Sequence, residues 1–287
     1  MTQPDPTIDS LRQQIDDIDD RIHDLLMERC ALVERIGALK TGDADALRPG
    51  REVAILRRLT GRHIGAFPKA ALVRIWREIV GALVGVQKPM TMAVAQPERG
   101  AGFIELARDH FGVVWPIRTT PSPGQVVRMV AEDQATVGVV PLPGLAPPEA
   151  EAWWTTLASD RPDIPRVIAR LPVYPHDSNS GGDPLEALVV AKRPLERMNQ
   201  DRTEHDRTLI VLETADDASR DRARALMGAA GFDAVEIMAS RSLEDSQVHL
   251  VVVEGWVGPG DARFASLLRD PVRHANVIGG YAVPLAP

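Results

Sequence analysis

The stretch IDSLRQQIDDIDDRIHDLLMERCALVERIGALK, residues 8 to 40, decides the N-terminal fold. It contains no proline, and its only glycine, Gly37, lies near the end. Asp9 or Ser10 can cap its start, and Thr41-Gly42 stops it. Leu11, Ile15, Ile18, Ile22, Leu25, position 29, Leu32, Ile36 and Leu39 step alternately by four and three, a sustained heptad seam. A helix of this length spans about 50 Å. No single small domain covers such a seam, so the pattern predicts an intertwined or antiparallel dimer.

Working outward, a loop with Gly42, Pro49 and Gly50 leads to a short helix from about Arg51 to Leu59, with Ile55, Leu56 and Leu59 on one face. A third helix is expected from Pro68 to Gln87, ended by Pro89, with Val73, Trp76, Val80 and Leu83 on its apolar face. After Pro89 the texture changes. Met92–Ala95, Val113–Ile117 and Thr136–Val140 read as strands, and Phe103–Phe111 and Gly124–Glu132 as helices, which predicts an α/β lobe. Further strands are expected over 167–173 and 185–191, with a charged linker at 195–206. The last part reads strand 208–213, helix 218–230, strand 234–240, strand 248–256, helix 262–268 and strand 277–283, a small α+β unit.

The chain of 287 residues is long enough for two or three domains. Net charge is −7, which argues against nucleic acid as a general partner. Residues 1–88 nonetheless carry 14 Lys and Arg against 13 Asp and Glu, while the remainder carries 19 against 27. That skew is mild support for an anionic ligand in the N-terminal part, although solvated helix faces explain it equally well. No apolar run is long enough for a membrane span, and the polar, acidic start lacks the pattern of a secretory signal. A cytoplasmic enzyme is therefore expected. One cysteine, Cys30, excludes an internal disulfide, and none of the seven histidines has metal-ligand spacing.

Polar residues on apolar stripes carry more information than the stripes. Arg29 holds a seam position among eight apolar ones. Glu52 lies three, four and seven residues before Ile55, Leu56 and Leu59, and Gln87 ends the run from Val73 to Leu83. A buried charge costs several kcal/mol, of order ~3–5 when its partner is missing, so three such groups on three helices suggest a shared polar site. Lys40 follows Arg29 by about three turns and points the same way, about 16 Å further along. Arg12 is offset by about 100° and faces elsewhere, so it serves the partner's site in an antiparallel dimer. A seam arginine paired with Glu52 as a register device is an equally good reading of that pair alone.

These residues sit in a recognisable frame. Leu-Arg-x-x-Ile-x-x-Ile-Asp at 11–19, Leu-Leu-x-Glu-Arg at 25–29 and Ile-Gly-x-x-Lys at 36–40 resemble the first helix of the all-helical chorismate mutases. Arg-Pro-Gly-Arg-Glu at 48–52 with Ile55-Leu56 resembles the second, and Ile75-Trp76-Arg77-Glu78-Ile79 with Gln87 the third. The resemblance implies conversion of chorismate to prephenate without metal or organic cofactor, in a homodimer. It implies that Arg29 and the partner's Arg12 bind the substrate carboxylates. Lys40 and Gln87 then approach the ether oxygen, and Glu52 holds the ring hydroxyl. Leu83 stands where the family often has a serine, and Arg48 where some members have aspartate.

The remaining 200 residues resemble prephenate dehydratase more loosely. Thr136 to Pro143 is similar to a dehydratase strand, but Pro143-Gly144 replaces its polar end, and its Thr-Arg-Phe motif is missing around Leu185–Arg193. Ser240-Arg241 is similar to the signature of an amino-acid-binding regulatory (ACT) domain without its glutamate and proline. Glu151-Ala152-Trp153-Trp154 reads as core or interface, and Gly279-Gly280 is too weak a pattern for a phosphate loop. The expected organisation is a helical mutase at 1–89, a degenerate dehydratase-like α/β lobe at 90–200 and an ACT-like α+β unit at 201–287. Two other readings compete with this one: a working bifunctional mutase–dehydratase, and a non-catalytic regulator that keeps the helices for dimerisation. Because all five site residues and the seam precede Pro89, residues 1–90 alone are expected to retain mutase activity.

Overall fold

The structure, a computed structural model, describes residues 7–39, 46–97, 102–143, 152–159, 161, 163–175, 185–194, 197, 206–215 and 219–286. Three helices come first, α1 (Ile8–Leu39), α2 (Pro49–Gly61) and α3 (Lys69–Gln87). The turn proposed at Thr41-Gly42 and nearly all of the linker at 195–206 lie outside the described residues.

α1 is helical along the predicted length, yet none of its residues is buried. The seam is open to solvent, from 45% exposure at Leu11 to 82% at Leu39. The half-buried residues of its second half, Leu26, Arg29, Cys30, Val33 and Gly37, form a stripe that shares only Arg29 with the seam, and α1 rests on α3. In α3 the buried stripe is Val73, Arg77, Val80 and Val84, with Gly81 beside it. It is displaced by one residue from the predicted stripe at two positions, so Trp76 and Leu83 are only half-buried.

The rest of the chain is built on one sheet. Its strands are β1 (Met92–Ala95), β2 (Ile117–Thr120), β3 (Val137–Pro141), β4 (Arg166–Leu171), β5 (Ala187–Ala191), β6 (Asp206–Ala215), β7 (Glu236–Ser242), β8 (Ser246–Glu254) and β9 (Val272–Ala282). The order across the sheet is β2-β1-β3-β5-β4-β9-β6-β8-β7. β1 pairs in parallel with β2 and β3, and the β6, β7 and β8 ladders are antiparallel. Helices α4 (Phe103–Phe111) and α5 (Pro123–Ala131) contact β1 and β3, and α6 (Arg220–Ala229) contacts β7. A short α7 (Arg263–Leu267) precedes β9.

The expected strand at 113–117 is absent; β2 begins at Ile117. Val113 and Val114 are exposed, the Val113 N–H donates to Glu78, and Trp115 stacks on Phe111. The apolar run is therefore a docking loop against α3 and α4. Trp153 and Trp154 are core residues of a 3-10 helix, Ala152–Leu157, as their composition suggested.

Two junctions bind the regions together. β4 meets β9 at Val167 and Gly279, so the two sequence regions share one continuous sheet. Gly279 has φ of 142°, and a Cβ there would lie 2.2 Å from the Val167 carbonyl oxygen. The glycine pair that failed as a phosphate loop is thus the joint of the sheet.

The second junction lies between α3 and α4. A Cβ at Gly81 would fall 1.9 Å from the Phe111 carbonyl oxygen, and the Gly81 carbonyl accepts the Trp115 indole N–H at 3.0 Å. Val53, Leu56, Val73, Val80 and Val84 share one core with Phe103, Leu106, Phe111 and Trp115. The composition break at Pro89 is therefore not a break in packing. Residues 1–90 cut free would bare that face.

Gly81→Ala is expected to destabilise the full chain by about 1–3 kcal/mol, the usual cost of overpacking against atoms that cannot retreat. Gly85→Ala, on the same helix, meets only Trp115 Nε1 at 3.7 Å, an ordinary contact. It is expected to be neutral or stabilising by up to about 1 kcal/mol. Thermal unfolding of both variants followed by circular dichroism checks the pair; equal losses would show that the close approach does not matter.

Candidate functional site

Arg29 sits half-buried on α1. Its Nη1 is buried without a hydrogen-bond partner among the described residues. Burial first, and then the charge of Arg51 on α2, pull its guanidinium pKa below the ordinary value. Two cations are thus close together, one of them short of an acceptor. That arrangement costs energy and is relieved by an anion. Arg51 was missed as a site residue. The signal was present, because it precedes Glu52 directly in Arg-Pro-Gly-Arg-Glu.

Gln87, at the C-terminal end of α3, lies against α1: a Cβ at Gly37 would be 3.6 Å from Gln87 Cγ. The glycine lets the amide-bearing side chain close on the first helix. Arg12 is at the other end of α1, about 25 Å from Arg29 along the axis, and pairs with Asp9 at 3.2 Å on the open surface. One chain does not bring Arg12 to Arg29. Lys40 lies outside the described residues.

Glu52 is buried on α2, as its place among Ile55, Leu56 and Leu59 predicted. Its arginine partner, however, is Arg77 rather than Arg29. Arg77 Nη1 donates to Glu52 Oε2 at 2.8 Å, and the Arg48 N–H approaches Oε1 at 3.4 Å. Arg77 Nε also donates to the His110 carbonyl of α4 at 2.5 Å. Arg77 is only 3% exposed, so a fully buried cation ties α2, α3 and α4 together. Sequence reading placed the α3 stripe on Trp76 and passed over Arg77, which the alternative four-three stepping 73, 77, 80, 84 includes.

The lobe holds α2 from two further directions. Arg57 Nη2 donates to the Val283 carbonyl at 2.7 Å, and buried Arg193 donates to the carbonyl of Leu47, just before α2. Glu52, Arg51 and Gln87 therefore stand on helices anchored to the sheet region. Among the described residues no cluster of three or more metal-ligating side chains occurs, and no described helix is long and apolar enough to cross a membrane.

With this geometry in place, comparison with known proteins locates the helical region. Residues 11–88 match the family model Chorismate mutase type II, so the chain carries a domain of that family at its N-terminal end. A bifunctional chorismate mutase/prephenate dehydratase from Neisseria gonorrhoeae is 35% identical over 140 residues, covering 47% of this chain and 38% of the relative. The chain thus matches well under half the length of that relative. Among solved structures, one described as a novel type of quorum quenching acylase covers 67% of this chain at 14% identity and TM-score 0.47. The prephenate dehydratase of Streptococcus mutans covers 68% at 16% identity and TM-score 0.43. Likenesses this loose carry no functional argument.

The buried His110 gives this junction a pH signature. Burial, and then the charge of Arg77, hold its imidazole pKa well below the ordinary 6.5. In the unfolded chain the ring protonates near 6.5, so below that pH the unfolded state binds the extra proton. The stability tied to neutral His110 is fully present above pH ~6.5 and is lost as pH falls from there towards the folded-state value. The wild type should therefore lose up to about 1.4 kcal/mol per pH unit more than His110→Gln between pH 6.5 and 5. Urea unfolding at several pH values measures this; parallel curves for the two proteins would refute it.

Proposed function

We propose that the chain is a chorismate mutase whose active sites form across a homodimer. The observation that carries this reading is Arg29, whose buried Nη1 has no hydrogen-bond partner among the described residues and lies next to Arg51. A dianionic substrate supplies the missing acceptor. Rearrangement of chorismate to prephenate needs a flexible dianion held in a compact conformer, and donors directed at the ether oxygen as its bond breaks. In the proposed assignment Arg29 and the partner's Arg12 take the carboxylates, Lys40 and Gln87 face the ether oxygen, and Glu52 accepts from the ring hydroxyl. A carboxylate has about four acceptor positions, so Glu52 can stay bonded to Arg77 and still accept a hydroxyl proton.

The dimer is supported by the open seam of α1. The eight apolar seam residues from Leu11 to Leu39, each about half exposed or more, are an unusual surface for a monomer. It fits a second copy of itself in the heptad manner. The proposed boundaries are 1–89 for the mutase, 90–200 for the dehydratase-like lobe and 201–287 for the ACT-like region. A cytoplasmic setting suits a chain whose one thiol, Cys30, is half-buried and free.

A bifunctional mutase–dehydratase is the second reading, favoured by the 140-residue match to a bifunctional relative, longer than the mutase domain alone. The place where a dehydratase motif was sought, β5, is a wholly buried apolar strand, which supports the monofunctional reading. Incubation of the full chain with prephenate decides: phenylpyruvate formed above an enzyme-free control establishes the second activity.

Arg29→Ala should lower mutase turnover by about a hundredfold or more, roughly 3 kcal/mol, with the circular dichroism of the fold unchanged. Loss of chorismate absorbance measures it, and a change within about threefold, under ~1 kcal/mol, would remove Arg29 from the site.

Arg12→Ala and Arg29→Ala proteins, each inactive alone, should partly regain activity once their subunits exchange. One site of the mixed dimer then receives both defects and the other neither. Verified heterodimers that stay inactive would show that Arg12 does not serve the partner's site.

A further inference from the structure

Arg77 has no assigned part in the mutase site, yet it holds a residue that does. Its Nη1 donates to Glu52 Oε2 at 2.8 Å, and the two side chains are only 4% and 8% exposed. Its Nε donates to the His110 carbonyl at 2.5 Å. That carbonyl belongs to α4, whose Phe103, Leu106, Ala107 and Phe111 are buried in the core shared with α2 and α3. The second support is therefore a backbone group on a packed helix. A guanidinium is planar, and its N–H bonds stand at set angles to one another. Anchoring Nε on α4 thus orients the Nη1–H bond, and with it the Glu52 carboxylate. Net stability does not account for the two charges, because apolar side chains of similar volume often serve a core as well as a buried ion pair.

We propose that Arg77 is a positioning residue for the mutase reaction: from its support on α4 it fixes the Glu52 carboxylate for the ring hydroxyl of chorismate. This inference rests on the proposed mutase reading and deepens it. A glutamate side chain turns about three torsions, and a carboxylate free to do so meets a hydroxyl only part of the time. With Oε2 held by Arg77, the carboxylate keeps one orientation relative to α2, which is the pre-organisation a positioned acceptor requires. A lysine at position 77 is a point donor on a flexible stem. It reaches Glu52 or the His110 carbonyl but lacks the fork that holds both at a set angle. Through Arg77 the sheet region takes part in recognising the hydroxyl, because the outer anchor is on α4. A role confined to holding the fold together predicts something different: the same loss for a substrate with the hydroxyl and for one without it.

The test uses the full-length protein and two substrates: chorismate, and its analogue without the ring hydroxyl, which keeps both carboxylates and the ether. Arg77→Lys should lower kcat/KM for chorismate about tenfold or more, and for the analogue less than about twofold. Glu52→Gln should shift the ratio of the two values in the same direction. That ratio is read on one sample, so it does not depend on the fraction folded. If Arg77→Lys gives no folded protein, Arg77→Gln replaces it with the same ratio expected. Equal losses on both substrates overturn the proposal, since Arg77 then only supports the fold. Full activity of Arg77→Lys on chorismate overturns it, as does loss of the fold by both variants. A selective loss in Arg77→Lys with an unchanged ratio in Glu52→Gln also overturns it, because Arg77 then acts by another route. A wild type that turns over neither substrate is a separate outcome, which overturns the mutase reading itself and this inference with it.

Discussion

The buried guanidinium of Arg77 is the constraint on which the arrangement of this molecule depends. It cannot lie in the core without acceptors, since an unpaired buried charge costs several kcal/mol, of order ~3–5 when one partner is removed. It finds one acceptor on α2, the Glu52 carboxylate, and one on α4, the His110 carbonyl. The two requirements together fix where α2 sits on α3 and where both sit on the sheet region. An apolar residue of similar volume would leave Glu52 alone in the same core. The ion pair is thus weak evidence for net stability, and what it does in this structure is link α2 and α4 to α3 through one side chain.

Backbone shape reinforces that docking. Gly81 lets the end of α4 come within a distance that no side chain permits, and the Gly81 carbonyl takes the Trp115 indole in return. Gly279 does the same for β4 and β9. Both glycines act by what they omit, and both stand where sequence-distant regions meet. A polypeptide that reads as three consecutive units is consequently packed as one body with shared cores.

Local pattern was legible in the sequence, and long-range pairing was not. The length of α1, the extent of α3, the burial of Glu52 and the core role of Trp153 and Trp154 all follow from periodicity and composition, which act over one or two turns. The partner of Glu52 was not legible, because an arginine on α1 and an arginine on α3 fit the same local pattern. The true strand start at Ile117 was hidden by Val113 and Val114, whose β-like character serves a loop held by Glu78. The α3 stripe shows the limit most clearly. Steps of four and three can begin with either interval, so 73-76-80-83 and 73-77-80-84 are equal in sequence, and only the second places Arg77 inside. The cation spacing of Arg29 and Arg51 was likewise written in two separate segments whose approach depends on tertiary structure.

The helices that carry the proposed site answer to different masters. α2 and α3 are held by the lobe through Arg57, Arg77 and Trp115, with burial on both sides of the contact. α1 has no buried residue and only a half-buried stripe against α3, while its wide apolar seam faces solvent. In the proposed dimer, apolar burial of this seam against the partner contributes most of the free energy that orders α1, at roughly 25 cal/mol per Å² of surface removed. In the proposed assignment Arg29 and Lys40 ride on α1 and Glu52 and Gln87 on the anchored helices. The site then assembles only where a partner-dependent element meets a lobe-dependent one. Changes in either interface reach the same few donors from opposite sides, and those two contributions are not additive, because both act through the separation between Arg29 and Arg51.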